Sequence, residues 1–210
     1  MRSIGVFLVL AACNVSGPAA PDTPGEPGDG PHHGLGMFVS WSASPMLPGT
    51  LTDKISVMEA TFQLDHFQIV ADAGSVTRTK YLLAWKGNDA PKQDMFPDAP
   101  PGLYSKITLS MMGGSFGDDA FEIRGMWRDN GPPKNFVIHD DAPLNLSIDC
   151  SETLAAAGST TIAIKVDLKD AISGIDFKNV DEEDGAYELH DGPELSGFRS
   201  RLQRAFKLDN

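Results

Sequence analysis

Only two cysteines occur among the 210 residues, Cys13 and Cys150. A disulfide framework is therefore excluded, and once Cys13 is taken up by modification Cys150 has no partner within the chain. Basic residues are also in short supply, with 17 Lys and Arg against 29 Asp and Glu and a formal net charge of −12. Nucleic acid needs a basic face, so it is excluded as a partner, and an anionic membrane surface gains nothing from so acidic a body. Helical periodicity is almost missing before the C-terminus, which leaves strands to build the core.

At the N-terminus, Arg2 precedes the apolar run Ile4 to Leu10, and Leu10-Ala11-Ala12 places small side chains directly before Cys13. The run is far too short to span a bilayer, which takes about 20 apolar residues. A leader cut before Cys13 is the reading these residues support. Leu10-Ala11-Ala12-Cys13 resembles the bacterial lipoprotein signal, which implies cleavage of residues 1–12 and a membrane anchor of acyl chains on Cys13. The competing reading is a plain exported leader with an incidental cysteine. Asn14 follows the cysteine, which favours the outer membrane of a bacterial cell envelope. Residues 13–36 then read as a disordered tether rich in Pro and Gly. Pro18, Pro21, Pro24, Pro27 and Pro31 bias it towards an extended form reaching on the order of 70 Å when fully stretched. His32-His33 in this tether reads as a solvated pair.

Residues 37–190 read as one all-β domain. Strand-like runs cover Met37 to Ala43, Ile55 to Val70, Arg78 to Trp85, Leu103 to Met111, Ala120 to Trp127 and Lys134 to His139. Within Ile55 to Val70 the alternation slips, since Ile55 and Val57 lie in one phase and Phe62 and Leu64 in another. A bulge or bend near Glu59 and Ala60 reconciles them. Asp129-Asn130-Gly131-Pro132 reads as a hairpin turn. The strictest alternation puts Leu144, Leu146, Ile148 and Cys150 on one face and Ile162, Ile164, Val166 and Leu168 on another. Strands of this kind bury one side each, and a two-sheet antiparallel sandwich hides them economically. Residues 191–210 change period, with Leu195, Phe198, Leu202, Ala205 and Phe206 at three- and four-residue spacing. This predicts an amphipathic C-terminal helix packed on the sandwich.

Ala99-Pro100-Pro101-Gly102-Leu103-Tyr104-Ser105-Lys106-Ile107 resembles a Pro-x-Gly-x-Tyr-x-x-Ile element of a prealbumin-like β-sandwich family of bacterial lipoproteins with no assigned function. Ile162 to Leu168, including Val166-Asp167-Leu168, resembles a later apolar strand of the same family that contains an aspartate. The likeness covers roughly residues 37–177 and implies an Ig-like or prealbumin-like fold and a surface address. It brings no catalytic residues with it. In mechanical terms Gly102 is suited to a left-handed turn, and the Tyr104 hydroxyl to a bond back to the loop.

Gly113-Gly114-Ser115-Phe116-Gly117 matches G-x-S-x-G, but a nucleophile elbow needs a helix after the serine. Asp118 to Ile123 returns instead to strand-like alternation, so no catalytic residue is assigned and the protein is read as non-enzymatic. His66, His139 and His190 each adjoin an aspartate in sequence, and neighbours on a strand point to opposite faces, so none is a ready-made dyad and no metal ligand set is assigned. The candidate ligand-binding residues are loop carboxylates and one aromatic: Asp140, Asp141, Asp181, Glu182, Asp184 and Trp127, which is placed for exposure beside the hairpin. Trp41 and Trp85 are expected in the core. No cofactor is assigned, with calcium the one ion that such carboxylates suit. The resulting expectation is a lipid-anchored envelope module that binds an envelope protein or holds a structural place. The rival reading is a calcium- or glycan-binding surface module.

Overall fold

Alternating apolar and polar side chains place successive residues on opposite faces of an extended chain, and most of this molecule follows that rule. The computed structural model describes residues 36–87 and 91–209. In chain order these form β1 (Gly36–Ser44), β2 (Gly49–Thr50), β3 (Ile55–Ala71), β4 (Gly74–Lys86), β5 (Lys92–Phe96) and β6 (Gly102–Met111). There follow β7 (Phe121–Trp127), β8 (Lys134–Asp140), β9 (Leu144–Leu154), β10 (Ser159–Asp167) and the short helix α1 (Leu168–Ile172). After a 3₁₀ turn at Phe177–Asn179 come β11 (Glu182–Glu183), β12 (Ala186–Leu189), α2 (Gly192–Ala205) and β13 (Phe206–Leu208). The leader, Cys13 and the tether with His32-His33 lie outside the described residues, except that Gly36, expected at the tether's end, opens β1. Among the described residues no helix is long and apolar enough to cross a membrane.

The strands form two sheets in a β-sandwich-like arrangement. The small sheet has the order β13-β10-β1-β5, and the large one runs β11-β12-β8-β7-β3-β6-β9, with β2 and β4 also on β3. Aromatic contacts join the two: Trp41 on β1 meets Phe67 on β3 at 5.2 Å between ring centroids, and Phe62 on β3 meets Phe206 on β13 at 5.3 Å. The expected all-antiparallel pairing is corrected here, because both sheets are mixed. β1 runs parallel to β10 from Gly36↔Ser159 to Ser44↔Asp167, and β12 runs parallel to β8. Alternation settles which side chains are buried but is silent on a neighbour's direction, which the connections decide.

β3 is the strand on which the large sheet is built. β4 lies along one side of it, from Glu59↔Lys86 to Ala71↔Gly74. Its other side is shared, with β7 pairing the first half and β6 the second. The phase slip expected near Glu59 and Ala60 is a bulge between Val57 and Glu59, which leaves Met58 exposed. A second slip, between Leu64 and His66, returns Phe67 and Ile69 to the core. The approach to β6 also differs from expectation in one detail. Gly102 has φ 156°, far from a left-handed helical turn, and it is needed for close approach, since a Cβ there would lie 2.3 Å from Asp72 Oδ1. Tyr104 is fully buried, and its hydroxyl donates to the Pro100 carbonyl at 2.7 Å.

α2 buries Leu195, Phe198, Leu202 and Ala205, with Phe198 against Phe121 at the start of β7. Phe206 falls beyond the helix, as the first residue of β13, and reaches the core from there. Arg199 on α2 pairs with Asp140 and donates to the Pro143 carbonyl at 2.6 Å, which fixes the β8–β9 connection against the helix. Asp167, expected within a strand, ends β10 and caps α1 by accepting from Asp170 N–H at 3.1 Å.

Candidate functional site

Where β6 and β7 part company along β3, the backbone must leave one partner and take up another. Gln63 sits at that fork: its N–H donates to Ala120 O at 2.8 Å, and its carbonyl accepts from Met112 N–H at 3.2 Å. The side chain is buried and turns into the loop that joins the two strands. Its amide nitrogen donates to Gly117 O at 3.1 Å, and its amide oxygen accepts from Phe116 N–H at 2.9 Å. Gly113 lets the loop fold back on itself, since a Cβ there would stand 1.7 Å from Asp118 O. The loop is therefore tied from inside while its apolar side chains point outwards, with Phe116 52% and Met112 41% exposed. Ser115 lies within it, exposed, between two strands, so the helix that an elbow requires is replaced by β7.

The loop ends at Asp119, which reaches the outer face of the large sheet. There His139 projects from β8, between the inward Ile138 and Asp140. Its Nδ1 lies 3.0 Å from Asp119 Oδ1 and its Nε2 lies 3.0 Å from Glu188 Oε1. Glu188 comes from β12, whose parallel register sets it opposite Val137 and brings His190, just after that strand, alongside His139. The two imidazole rings are 5.7 Å apart. One ligand atom from each of His139, Glu188 and His190 lies within 4.8 Å of the other two. Burial favours a neutral His139 ring, but the hydrogen bonds to Asp119 and Glu188 outweigh it and hold the pKa above the ordinary value. Across from His139 on β7 stands Glu122, whose bidentate contact with Arg124 holds its carboxyl below the usual range against the opposing effect of burial.

Comparison with family models, with curated proteins and with solved structures gives no match. The site must therefore be read from its own geometry. Its main members were not assigned from the sequence, because the residues that meet are far apart along the chain, 49 positions between His139 and Glu188. Only the parallel pairing of β8 with β12 joins them, and no local pattern signals it.

The residues proposed from the sequence fall elsewhere. Trp127 is half-buried rather than exposed, stacked on Phe177 at 5.6 Å with Tyr187 edge-on at 5.1 Å. Asp140 is not a loop carboxylate: it ends β8, is 7% exposed, pairs with Arg199 and accepts from Ala142 N–H at 3.0 Å. Asp141 is exposed beside it. Asp181, Glu182 and Asp184 are exposed around β11, and Glu182 pairs with Lys134 at the opposite end of β8. At about 3.3 Å per residue the seven residues of β8 hold the two acidic groups roughly 20 Å apart, so they do not converge. His66 is half-buried on β3, bordering a shallow hollow with Thr108, Ser110 and Asn145. Cys150 is half-buried with Sγ 3.5 Å from Tyr104 O, and burial pushes its thiol pKa up.

A second polar cluster lies inside. Asp94 on β5 is 4% exposed and receives hydrogen bonds from Trp41 Nε1 at 3.0 Å, from Arg78 and from Tyr81. Burial pushes the Asp94 carboxyl up, against the pull of these partners, and burial together with Asp94 pushes the Tyr81 phenol up. Arg78 also donates to Met95 O at 3.1 Å and lies over the Phe96 ring. The cluster joins β4 of the large sheet to β1 and β5 of the small one. Trp41 and Trp85 are both buried.

Proposed function

We propose that this chain is an exported, lipid-anchored protein of the bacterial envelope, of prealbumin-like type, whose domain works without catalysis by binding another envelope protein. Leu10-Ala11-Ala12-Cys13 supports the anchor, and the prolines between Pro18 and Pro31 support a tether that holds the domain away from the bilayer. The observation that carries the binding role is the loop from Met112 to Asp119. A buried glutamine and a backbone bond from Gly114 N–H to Gly117 O at 2.6 Å fix it, and it holds Phe116 and Met112 in solvent. Apolar side chains presented on a pre-ordered loop lose little entropy when a partner covers them, which is the economy of a binding surface.

The test places a photo-cross-linking amino acid at position 116 of the tethered protein in cells. A discrete adduct with one envelope protein, lost when Met112→Ser removes the second apolar contact, is the expected result. Absence of any adduct, or an equal adduct from a probe at Lys207 on β13, ends the reading. The anchor is tested separately: Cys13→Ala is expected to move the protein from the membrane fraction to the soluble one, and continued membrane partition refutes lipidation.

A further inference from the structure

We propose that the outer face of the large sheet carries a site for a divalent transition metal of the zinc class. His139, Glu188 and His190 are its protein ligands, and Asp119 is the positioning residue that orients His139. The inference is independent of the binding role assigned to the Phe116 loop.

Three features of the geometry point to it. Two imidazoles and one carboxylate offer atoms within 4.8 Å of one another. Donors about 2.0 to 2.2 Å from a tetrahedral zinc ion stand roughly 3.4 Å apart, so at most about 1.4 Å is left for side-chain rotation to close. The donor set itself discriminates, because two nitrogen ligands suit zinc and its neighbours and not the oxygen-seeking calcium and magnesium.

The surroundings of His139 are those of an oriented ligand. A neutral imidazole has one N–H, yet carboxylates face both ring nitrogens at 3.0 Å. With Nδ1–H given to Asp119, Nε2 of the neutral ring is left with its lone pair, 3.0 Å from Glu188 Oε1. That lone pair takes a metal ion with no proton lost, and the same ion draws in the Glu188 carboxylate as a ligand; in the charged ring, the Nε2 proton donated to Glu188 leaves to solvent as the ion takes its place. A carboxylate on the far nitrogen of a ligating histidine is the usual means of fixing its tautomer and ring angle. His190, by contrast, has no hydrogen bond or ion pair among the described residues, and its ring is exposed beside His139.

The scaffold is firm where it matters. His139 and Glu188 stand on adjacent strands tied by a parallel ladder from Ala186↔Asn135 to Leu189↔Ile138, and β8 is in turn paired along its length with β7. Three protein ligands on an exposed face leave the fourth position open to water or to a donor from a bound molecule.

The experiment is a calorimetric zinc titration of the full chain in detergent after stripping with a chelator. One equivalent is expected to bind, with no competition from calcium. His190→Ala and Glu188→Gln are each expected to weaken binding by about 100-fold, and Asp119→Asn by roughly 10- to 100-fold with the stoichiometry kept. His190 is exposed, so its replacement leaves an unchanged melting curve and separates ligand loss from unfolding. The doubly substituted His32→Ala, His33→Ala chain is expected to bind as the parent does. Cobalt in place of zinc is expected to give the visible absorption of a four-coordinate ion, lost in His139→Ala. Absence of saturable zinc binding, undiminished affinity in His190→Ala, or binding that disappears with His32 and His33 overturns the site.

Discussion

Asp94 and Asp119 are both carboxylates beside nitrogen groups, one between the sheets and the other on the outer face of the large sheet. Asp94 is saturated: Trp41, Arg78 and Tyr81 all bond to it, Trp41 and Tyr81 pack in or against the core, and Arg78 lies over the buried Phe96 ring. Around His139 the ratio is reversed, with Asp119 and Glu188 competing for one ring and an exposed imidazole next to it. The inner cluster has as many donors as it needs and nothing to spare. The outer one has more acceptors than a neutral ring can satisfy, and such a surplus is what a cation or proton answers. Balanced burial marks polar groups that hold the fold together, whereas imbalance at the surface marks groups available for something else.

The comparison is tested first at its inner end. Asp94→Ala leaves Arg78 and the indole N–H without their acceptor, and loss of one partner of a buried pair is expected to lower stability by about 3 kcal/mol in urea unfolding. A loss under about 1 kcal/mol would break the distinction. Arg199→Ala is an intermediate case, since Asp140 is buried but keeps the hydrogen bond from Ala142 N–H; a loss of about 2 kcal/mol is expected by the same measurement. Asp119→Asn, on the half-exposed outer cluster, is expected to change stability by less than about 1 kcal/mol while changing zinc affinity. The smallest effect concerns Asp167. Burial opposes its ionisation, but hydrogen bonds from Lys207 and from Asp170 N–H prevail, and its pKa is lowered in the folded protein. Its contribution is therefore present above the ordinary aspartate pKa and lost as pH falls through the depressed folded value. Melting temperatures of the parent and Asp167→Asn are expected to differ at pH 6 and to converge in strong acid.

Those expectations also show how far residues alone lead. Leu144, Leu146 and Ile148 on β9, and Ile162, Ile164 and Val166 on β10, announce their buried faces because alternation is a local property. The first slip in β3 was visible for the same reason. The second was not, because Asp65 and His66 can face either way and only the pairing with β6 decides. β5 escaped notice because an inward aspartate spoils the apolar pattern, and it is tolerated only through donors supplied by β1 and β4. Trp127 was placed in solvent because its covers, Phe177 and Tyr187, arrive from much later in the chain. The His139 cluster shares that cause: each residue is ordinary where it stands, and its meaning arises only when β12 is laid beside β8.

β1 sits in the middle of the small sheet, with β5 on one side and β10 on the other, and β13 follows beyond β10. A ribosome delivers β1 first of the described strands and β13 last, so vectorial synthesis presents the nascent chain with an inner strand that has no finished sheet to join. Until Ser159 to Asp167 appear, the apolar side of β1 has only β5 beside it, and the small sheet is completed only after Phe206 to Leu208 emerge. Such long-range closure favours slow assembly, and it leaves the apolar face of the first strand not fully covered until nearly the whole chain has been made.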